Sequence, residues 1–136
     1  MSSTPNFIEL RLDAPETIEA FAKATAQEVA GNKAVVAIDF TAKWCGPCKI
    51  IGPHFKAFSE EERFKGITFF KVDVDDFAEY AQKHEIRAMP TFKFLVGGAL
   101  KDELVGADKN KLEQKLAELA KLVESQSQPQ PEGQAA

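Results

Sequence analysis

The chain has 136 residues, of which 44% are hydrophobic and 28% charged, a composition typical of one folded globular domain. This composition excludes a disordered chain, a collagen-like repeat and a disulfide-rich miniprotein. The net charge of −4 argues against nucleic-acid binding, and no apolar run approaches the roughly 18 residues of a membrane-spanning helix. The first residues lack a basic segment followed by an apolar one, so we expect no secretory signal and a reducing, cytoplasmic location.

The first half of the chain predicts two strands and two helices. Alternating apolar and polar residues indicate a weak edge strand at 7–11. A helix begins at Pro15, a residue suited to a first helical turn, and is expected to end at Gly31. Residues 34–40 are almost continuously apolar, which is typical of a central strand buried on both faces. A second helix is predicted from about 45 to 62, with a proline inside it.

The second half of the chain predicts three strands and two helices. Residues 67–74 indicate another buried strand, after which Asp75 or Asp76 is expected to cap a short helix. Two strands at 92–96 and 100–105 are joined by a Gly-Gly hairpin turn. The final helix carries an apolar stripe formed by Leu112, Leu116, Leu119 and Val123.

The alternation of strands and helices predicts an α/β fold. Helical connections favour parallel strand pairs and the glycine hairpin requires an antiparallel pair, so the sheet should be mixed. We expect a central five-stranded sheet flanked by four helices, in one domain of residues 1–124. Residues 125–136 consist of Ser, Gln, Pro, Glu, Gly and Ala, which cannot build a core, so we expect a disordered polar tail.

The two cysteines of the chain stand close together, as Cys45-Gly46-Pro47-Cys48. A disulfide across so short a loop constrains the unfolded chain little, so stabilisation is a poor reason for the pair. Cys45 begins a predicted helix, where unpaired N–H groups and the helix dipole favour a negative sulfur. Because a thiolate is the attacking species in disulfide exchange, we expect Cys45 to be the nucleophile. Cys48, one turn later and expected to be more buried, is then the resolving thiol.

Zinc binding is the alternative interpretation of the cysteine pair. A zinc site needs four ligands, and only His54 and His84 could complete the set. Since these histidines belong to different predicted helices, we do not expect them to converge, and we expect no metal.

Two segments resemble the thioredoxin family. Trp44-Cys45-Gly46-Pro47-Cys48-Lys49, preceded by Ile38-Asp39-Phe40, resembles its active-site segment, and Met89-Pro90-Thr91-Phe92 resembles its cis-proline loop. The resemblance extends over roughly residues 7–123. It implies the thioredoxin fold, a cis bond before Pro90 and a thiol-disulfide oxidoreductase that reduces protein disulfides. It implies no cofactor, because the cysteines are themselves the redox group.

Asp39 lies inside an otherwise apolar predicted strand. Burial penalises a charged carboxylate, so the pKa of Asp39 should be raised, which suits proton transfer near neutral pH. The family resemblance implies that Asp39 moves a proton to or from Cys48, and that Lys71 is the lysine beside it. A buried ion pair with a purely structural role is the alternative for these two residues.

The resemblance also implies a client-binding surface around the cysteines. Trp44 would pack over the motif, the backbone of Met89 would pair with an extended client segment, and Gly106 would keep the surface flat. The plainer alternatives are a packing aromatic for Trp44 and a simple turn glycine for Gly106. The client-binding residues implied in this way are Trp44, Gly46, Pro47, Met89, Pro90 and Gly106.

The resemblance implies a monomer that carries electrons from thioredoxin reductase to disulfides in other proteins. The implied clients are peroxiredoxins, ribonucleotide reductase and methionine sulfoxide reductases. Two alternatives stay open: an oxidising or isomerising protein of the same fold, and a client-binding module without redox activity. Gly46-Pro47, where many isomerases have Gly-His, favours reduction. A redox potential separates the first alternative, since thioredoxin lies near about −270 mV and protein disulfide isomerase near about −180 mV.

Overall fold

The computed structural model describes residues 6–27 and 29–127. In chain order they form β1 (Phe7–Glu9), α1 (Pro15–Thr25), β2 (Val35–Thr41), α2 (Gly46–Ser59), β3 (Thr68–Asp73), α3 (Ala78–Lys83), β4 (Thr91–Val96), β5 (Ala99–Val105) and α4 (Lys109–Ser127). A single 3-10 turn, Glu62–Phe64, connects α2 to β3. Within these described ranges, no helix is both long and apolar enough to cross a membrane.

The five strands form one mixed sheet in the order β1-β3-β2-β4-β5. β3 runs parallel to both β1 and β2, whereas β4 runs antiparallel to β2 and to β5. Every residue of β2 is buried, because the strand is paired along both edges and covered on both faces. The predicted α/β fold with a mixed five-stranded sheet and four helices is therefore confirmed.

Two apolar layers cover the sheet. Side chains of α2 and α4 pack on one face around Phe55, Phe69 and Phe92. Side chains of α1 and α3 pack on the other face around Phe21 and Phe70. The predicted stripe of α4 faces the first layer, as its residues Leu112, Leu116, Leu119 and Val123 all pack there.

The prediction for the end of α1 was wrong. The helix ends at Thr25 and not at Gly31. Asn32 then organises the connection to β2: its side-chain amide donates to the Ala26 carbonyl, and its side-chain oxygen accepts from the N–H of Ala34. Side-chain hydrogen bonds of this kind offer the backbone an alternative to helix, which the apolar spacing alone does not reveal.

The predicted cap of α3 was also wrong. Phe77 is the N-cap residue of α3, and it makes no side-chain capping bond. The carboxylate of Asp73 instead accepts the N–H groups of Asp75 and Asp76, at 2.8 and 3.0 Å. The aspartates thus shape a turn before the helix, and α3 begins one residue later than a cap at Asp76 would require.

The final helix extends beyond the expected domain boundary. α4 continues through Ser127, three residues into the segment expected to be a tail. Residues 128–136, the remainder of that segment, lie outside the described residues.

Gly66 lies where the turn before β3 meets the last turns of α4. A Cβ atom placed on Gly66 would collide with Cγ1 of Val123. This close approach lets α4 cover Phe64 and Ile67 at the end of the core. By contrast, a Cβ atom on Gly52, in α2, meets nothing within 4 Å.

Gly66→Ala should therefore lower the free energy of unfolding, by about 1–3 kcal/mol, because the added methyl overpacks the contact with α4. Urea denaturation monitored by circular dichroism measures it. In a Val123→Ala background the same substitution should be less destabilising. Gly52→Ala is the control and should be neutral or stabilising by up to about 1 kcal/mol. A Gly66→Ala variant as stable as the parent protein would show that α4 does not dock closely here.

Candidate active site

Cys45 and Cys48 lie where the chain leaves β2 and enters α2, and their sulfurs are joined in a disulfide. Cys45 is the N-cap residue of α2, and its sulfur accepts a hydrogen bond from the backbone N–H of Cys48 at 3.2 Å. Pro47 follows in the first turn, where its missing N–H leaves no hydrogen bond unmade. A negative charge on the Cys45 sulfur would thus meet a donor N–H and the positive end of the helix dipole.

The two cysteines differ in surroundings more than in exposure. Their exposed fractions are 5% for Cys45 and 3% for Cys48, so the expected difference in burial is too small to separate their roles. The sulfur of Cys45 lies 3.6 Å from the carbonyl oxygen of Met89. Cys48 instead lines a groove together with Asp39. The sulfur of Cys45 is therefore next to a backbone carbonyl, whereas Cys48 shares a groove with a carboxyl group.

The loop before β4 lies beside the disulfide. The peptide bond between Met89 and Pro90 is cis, as the sequence predicted. Met89 packs against the cysteines, and the carbonyl of Pro90 accepts the N–H of Gly106 at 2.9 Å. Gly106 has a φ of +110°, a conformation that other residues rarely adopt. The hydrogen bond fixes the end of β5 next to the loop, so the predicted residues of these two segments are brought together.

Trp44 stands on the surface beside the motif, with 67% of its area exposed. Its indole Nε1–H donates to Oδ2 of Asp75 at 2.9 Å. Lys43 makes ion pairs at 3.1 Å with Asp73 and with Asp76, so the same acidic turn also holds the residue before Trp44. The indole is thus anchored at its polar edge and leaves its apolar body exposed next to Gly46 and Pro47.

Sequence reasoning missed two exposed apolar residues near the motif. Ile50 lies one helical turn after Pro47, and Val105 comes directly before Gly106; both are largely exposed. The signal for Ile50 was present, because Ile51 and Phe55 define the inward stripe of α2 and Ile50 falls outside it.

Asp39 is the most unusual polar residue of the core. It is 1% exposed, and its Oδ1 atom has no hydrogen-bond partner. Burial raises the pKa of Asp39 from 3.8 to about 7, and the charge of Lys71 on the neighbouring strand opposes this shift. The raised pKa agrees with the expectation from the sequence, and it places the protonation equilibrium of this carboxyl close to neutral pH.

Asp39, Lys71 and Cys48 line one groove of about 970 Å³. Its other walls come from α2, through Gly52 and Pro53, and from β1. The buried carboxyl of Asp39 and the side chain of Cys48 therefore line the same space.

No set of three or more His, Cys, Asp and Glu side chains among residues 6–27 and 29–127 is arranged to hold a metal ion. His84 packs against the rings of Phe21 and Phe40, on the face of the sheet opposite Asp39. The histidine therefore does not converge with the cysteine pair as a zinc site would require.

The fold and the cysteine geometry can be compared with known proteins. A family model described as Thioredoxin matches residues 16–118. The chain belongs to the thioredoxin family. It is 50% identical to a thioredoxin H-type of Picea mariana over 94 residues, which are 69% of this chain and 74% of that protein. It is 46% identical to a thioredoxin of Ictalurus punctatus over 101 residues, 74% of this chain and 92% of that protein.

A solved thioredoxin structure from Malassezia sympodialis superposes with a TM-score of 0.70 at 38% identity, covering 83% of this chain and 90% of that one. These relationships and the Cys45–Cys48 pair make the chain a thiol-disulfide oxidoreductase that reduces protein disulfides. They disfavour the isomerising and redox-inactive alternatives. As a member of this family, the chain works with a reductase and with proteins that carry disulfides.

The Asp39→Asn variant should become increasingly more stable than the parent protein as the pH rises. The folded protein binds the Asp39 proton more tightly than the unfolded chain, because its pKa rises from 3.8 to about 7. This group therefore lowers the stability of the parent protein between about pH 4 and pH 7, and the asparagine removes that loss. The advantage of Asp39→Asn in free energy of unfolding should grow by about 4 kcal/mol from pH 4 to pH 8.

Urea denaturation at a series of pH values measures this difference. Asp13→Asn is the control, because the pKa of the exposed Asp13 is lowered by its hydrogen bond with Arg11; its contribution to stability is lost only as the pH falls below about 4, so it should add little pH dependence above that pH. Stability curves of Asp39→Asn and the parent that run parallel over this range would contradict a raised pKa at Asp39.

Proposed function

We propose that Cys45 attacks the disulfide of a client protein and that Cys48 completes the transfer of two electrons. The observation that carries the proposal is the position of Cys45 at the N-cap of α2, with its sulfur beside the Met89 carbonyl. Cys48 lies one turn further and shares the groove with Asp39. The sulfur of Cys45 thus lies beside the loop where a client would bind, and Cys48 lines the same groove as a carboxyl group that can take a proton.

In the first step, the thiolate of Cys45 attacks one sulfur of the client disulfide. The new bond joins Cys45 to the client, and the other client sulfur leaves as a thiolate that is then protonated. The N–H of Cys48 and the dipole of α2 favour the thiolate of Cys45, which is the attacking form.

In the second step, the thiol of Cys48 gives its proton to the carboxylate of Asp39, and the resulting thiolate attacks the sulfur of Cys45. The bond between Cys45 and the client breaks, and the second client sulfur leaves as a thiolate. The client has gained two electrons, and Cys45 and Cys48 are left in the disulfide form that the structure shows. The raised pKa of Asp39 suits this role, since a base works best when its pKa lies near the working pH.

We place the client on the surface around the disulfide. An extended client segment would pair with the backbone of Met89, which holds the reacting sulfur near Cys45. Apolar contacts would come from the exposed indole of Trp44 and from the backbone around Gly46 and Pro47. Pro90 and Gly106, joined by a backbone hydrogen bond, would form the opposite wall.

We further propose thioredoxin reductase as the electron donor and peroxiredoxins, ribonucleotide reductase and methionine sulfoxide reductases as clients. The protein would act as a monomeric electron carrier in the cytoplasm. Both cysteines of the chain belong to the redox pair, which fits a compartment where thiols are kept reduced.

The two cysteines should differ in covalent trapping. Cys48→Ser should form a stable mixed disulfide with insulin, because Cys45 can attack but nothing releases the client. Cys45→Ser, the matched control, should form little adduct. Non-reducing gel electrophoresis, with and without dithiothreitol, measures the adduct. Equal trapping by both variants would overturn the assignment of the two roles.

Insulin reduction coupled to NADPH oxidation by a thioredoxin reductase tests the function as a whole. The parent protein should turn over, and both serine variants should not. A parent protein that fails to reduce insulin while its disulfide is reduced by the reductase would contradict the proposed activity toward proteins.

Deletion of residues 128–136 should leave both the melting temperature and insulin reduction nearly unchanged. This expectation rests on α4, whose residues up to Val123 already cover the core. Val123 packs against Gly66, at the end of the sheet remote from Cys45. Calorimetry and the coupled assay measure the two quantities. A large loss of either would show that the segment docks on the domain.

A further inference from the structure

We propose that Glu9 is a positioning residue that holds the ammonium group of Lys71 away from Asp39 and thereby controls the charge state of Asp39. The consequence for catalysis rests on the proposed function, in which Asp39 takes the proton of Cys48. The positioning itself does not, and it can be measured without turnover.

The sheet register places three charged residues side by side. Glu9 on β1 pairs with Lys71 on β3, and Lys71 pairs with Asp39 on β2. Residues paired across parallel strands point to the same face, so all three side chains lie under α2. The row runs from an exposed edge to the core: the side chains of Glu9 and Lys71 are 54% and 39% exposed, whereas Asp39 is 1% exposed.

The single lysine of this row is drawn to the outer acid. Its Nζ lies 3.9 Å from Oε2 of Glu9, while Oδ1 of the buried Asp39 has no hydrogen-bond partner. No ion pair joins Lys71 to Asp39 in the part of the chain that the structure describes. Glu9 and Asp39 therefore compete for the ammonium group of Lys71. The ammonium group lies next to Glu9, the more exposed of the two acids.

The other charges around the groove do not take the place of Lys71. From β4, the residue opposite Asp39 is the uncharged Phe92, and on α2 Cys48 is held in the disulfide and Lys49 is exposed. The remaining charged groups that line the groove are paired: Arg11 with Asp13, Lys43 with Asp73 and Asp76, and Lys56 with Glu60.

The charge state of Asp39 follows from this competition. Burial favours the neutral carboxyl, and a nearby ammonium group favours the carboxylate. With Lys71 held by Glu9, burial prevails. Without the charge of Glu9, Lys71 can approach Asp39, and the carboxylate becomes more favourable. Because Lys71 and Glu9 are partly exposed, the change should be modest, about 0.2–0.7 unit in the pKa of Asp39.

Carboxyl ¹³C NMR titration of the disulfide form measures this pKa directly. In that form neither cysteine titrates, so the Asp39 curve is not coupled to a thiol, and Asp39→Asn identifies its resonance. Glu9→Gln should lower the pKa by about 0.2–0.7 unit, and Lys71→Met should raise it. In the Lys71→Met background, Glu9→Gln should shift the pKa by less than half as much. Glu19→Gln is the matched control, because Glu19 also lies 3.9 Å from a lysine, Lys23, but on α1 away from the groove; it should leave the pKa unchanged.

Two results would overturn the proposal. One is an Asp39 pKa in Glu9→Gln equal to that of the parent. The other is an equal shift with and without Lys71, which would mean that Glu9 acts on Asp39 directly. Stopped-flow measurement of the second step, from a preformed mixed disulfide, gives an independent readout. Its pH midpoint in Glu9→Gln should fall together with the NMR pKa, whereas a merely structural role would not move it. If the NMR pKa shifts and the midpoint does not, the positioning by Glu9 stands and the proton-transfer role of Asp39 fails.

Discussion

The pairing of β2 along both of its edges is the constraint on which the site depends. A strand buried on both faces has no water to satisfy its backbone groups, so neighbours must pair with it on each side. β3 supplies one neighbour and brings Lys71 beside Asp39. β4 supplies the other and runs antiparallel, with Thr91 opposite Phe40, so the Met89–Pro90 loop arrives where β2 ends. The chain leaves β2 at that same end to begin α2, which places Cys45 against the loop.

The position of Asp39 in this strand links stability to chemistry. A carboxyl group among apolar side chains destabilises the fold when it ionises, and a well-packed apolar residue would not. The surrounding aromatic core, with Phe55 and Phe92 in the same layer, supplies enough burial for the fold to retain such a group. In the proposed arrangement, the row from Glu9 through Lys71 to Asp39 sets how far burial raises the pKa of Asp39.

The two cysteines of the disulfide have similar exposure and different surroundings. Cys45 and Cys48 are almost equally buried, yet one sulfur meets a backbone carbonyl at the surface loop and the other meets the groove. Near the sulfur of Cys45, the hydrogen bond from the Trp44 indole to Asp75 fixes the exposed indole ring. Because the ring is already held, it would lose little rotamer freedom when a client binds. In the proposed mechanism, client binding and proton transfer would thus take place on two sides of one short helical turn.

The sequence by itself determined the order of the elements, the mixed sheet, the buried carboxyl of Asp39 and the helix start at Cys45. These follow from apolar periodicity and turn residues, which are local signals. Only the tertiary structure decided where α1 ends, that Asp73 accepts the hydrogen bonds of the turn before α3, and that Asp75 accepts a hydrogen bond from Trp44. It also decided that Glu9 stands next to Lys71. Each of these depends on two groups that meet through strand register or a side-chain hydrogen bond, and local patterns do not encode the distance between such groups.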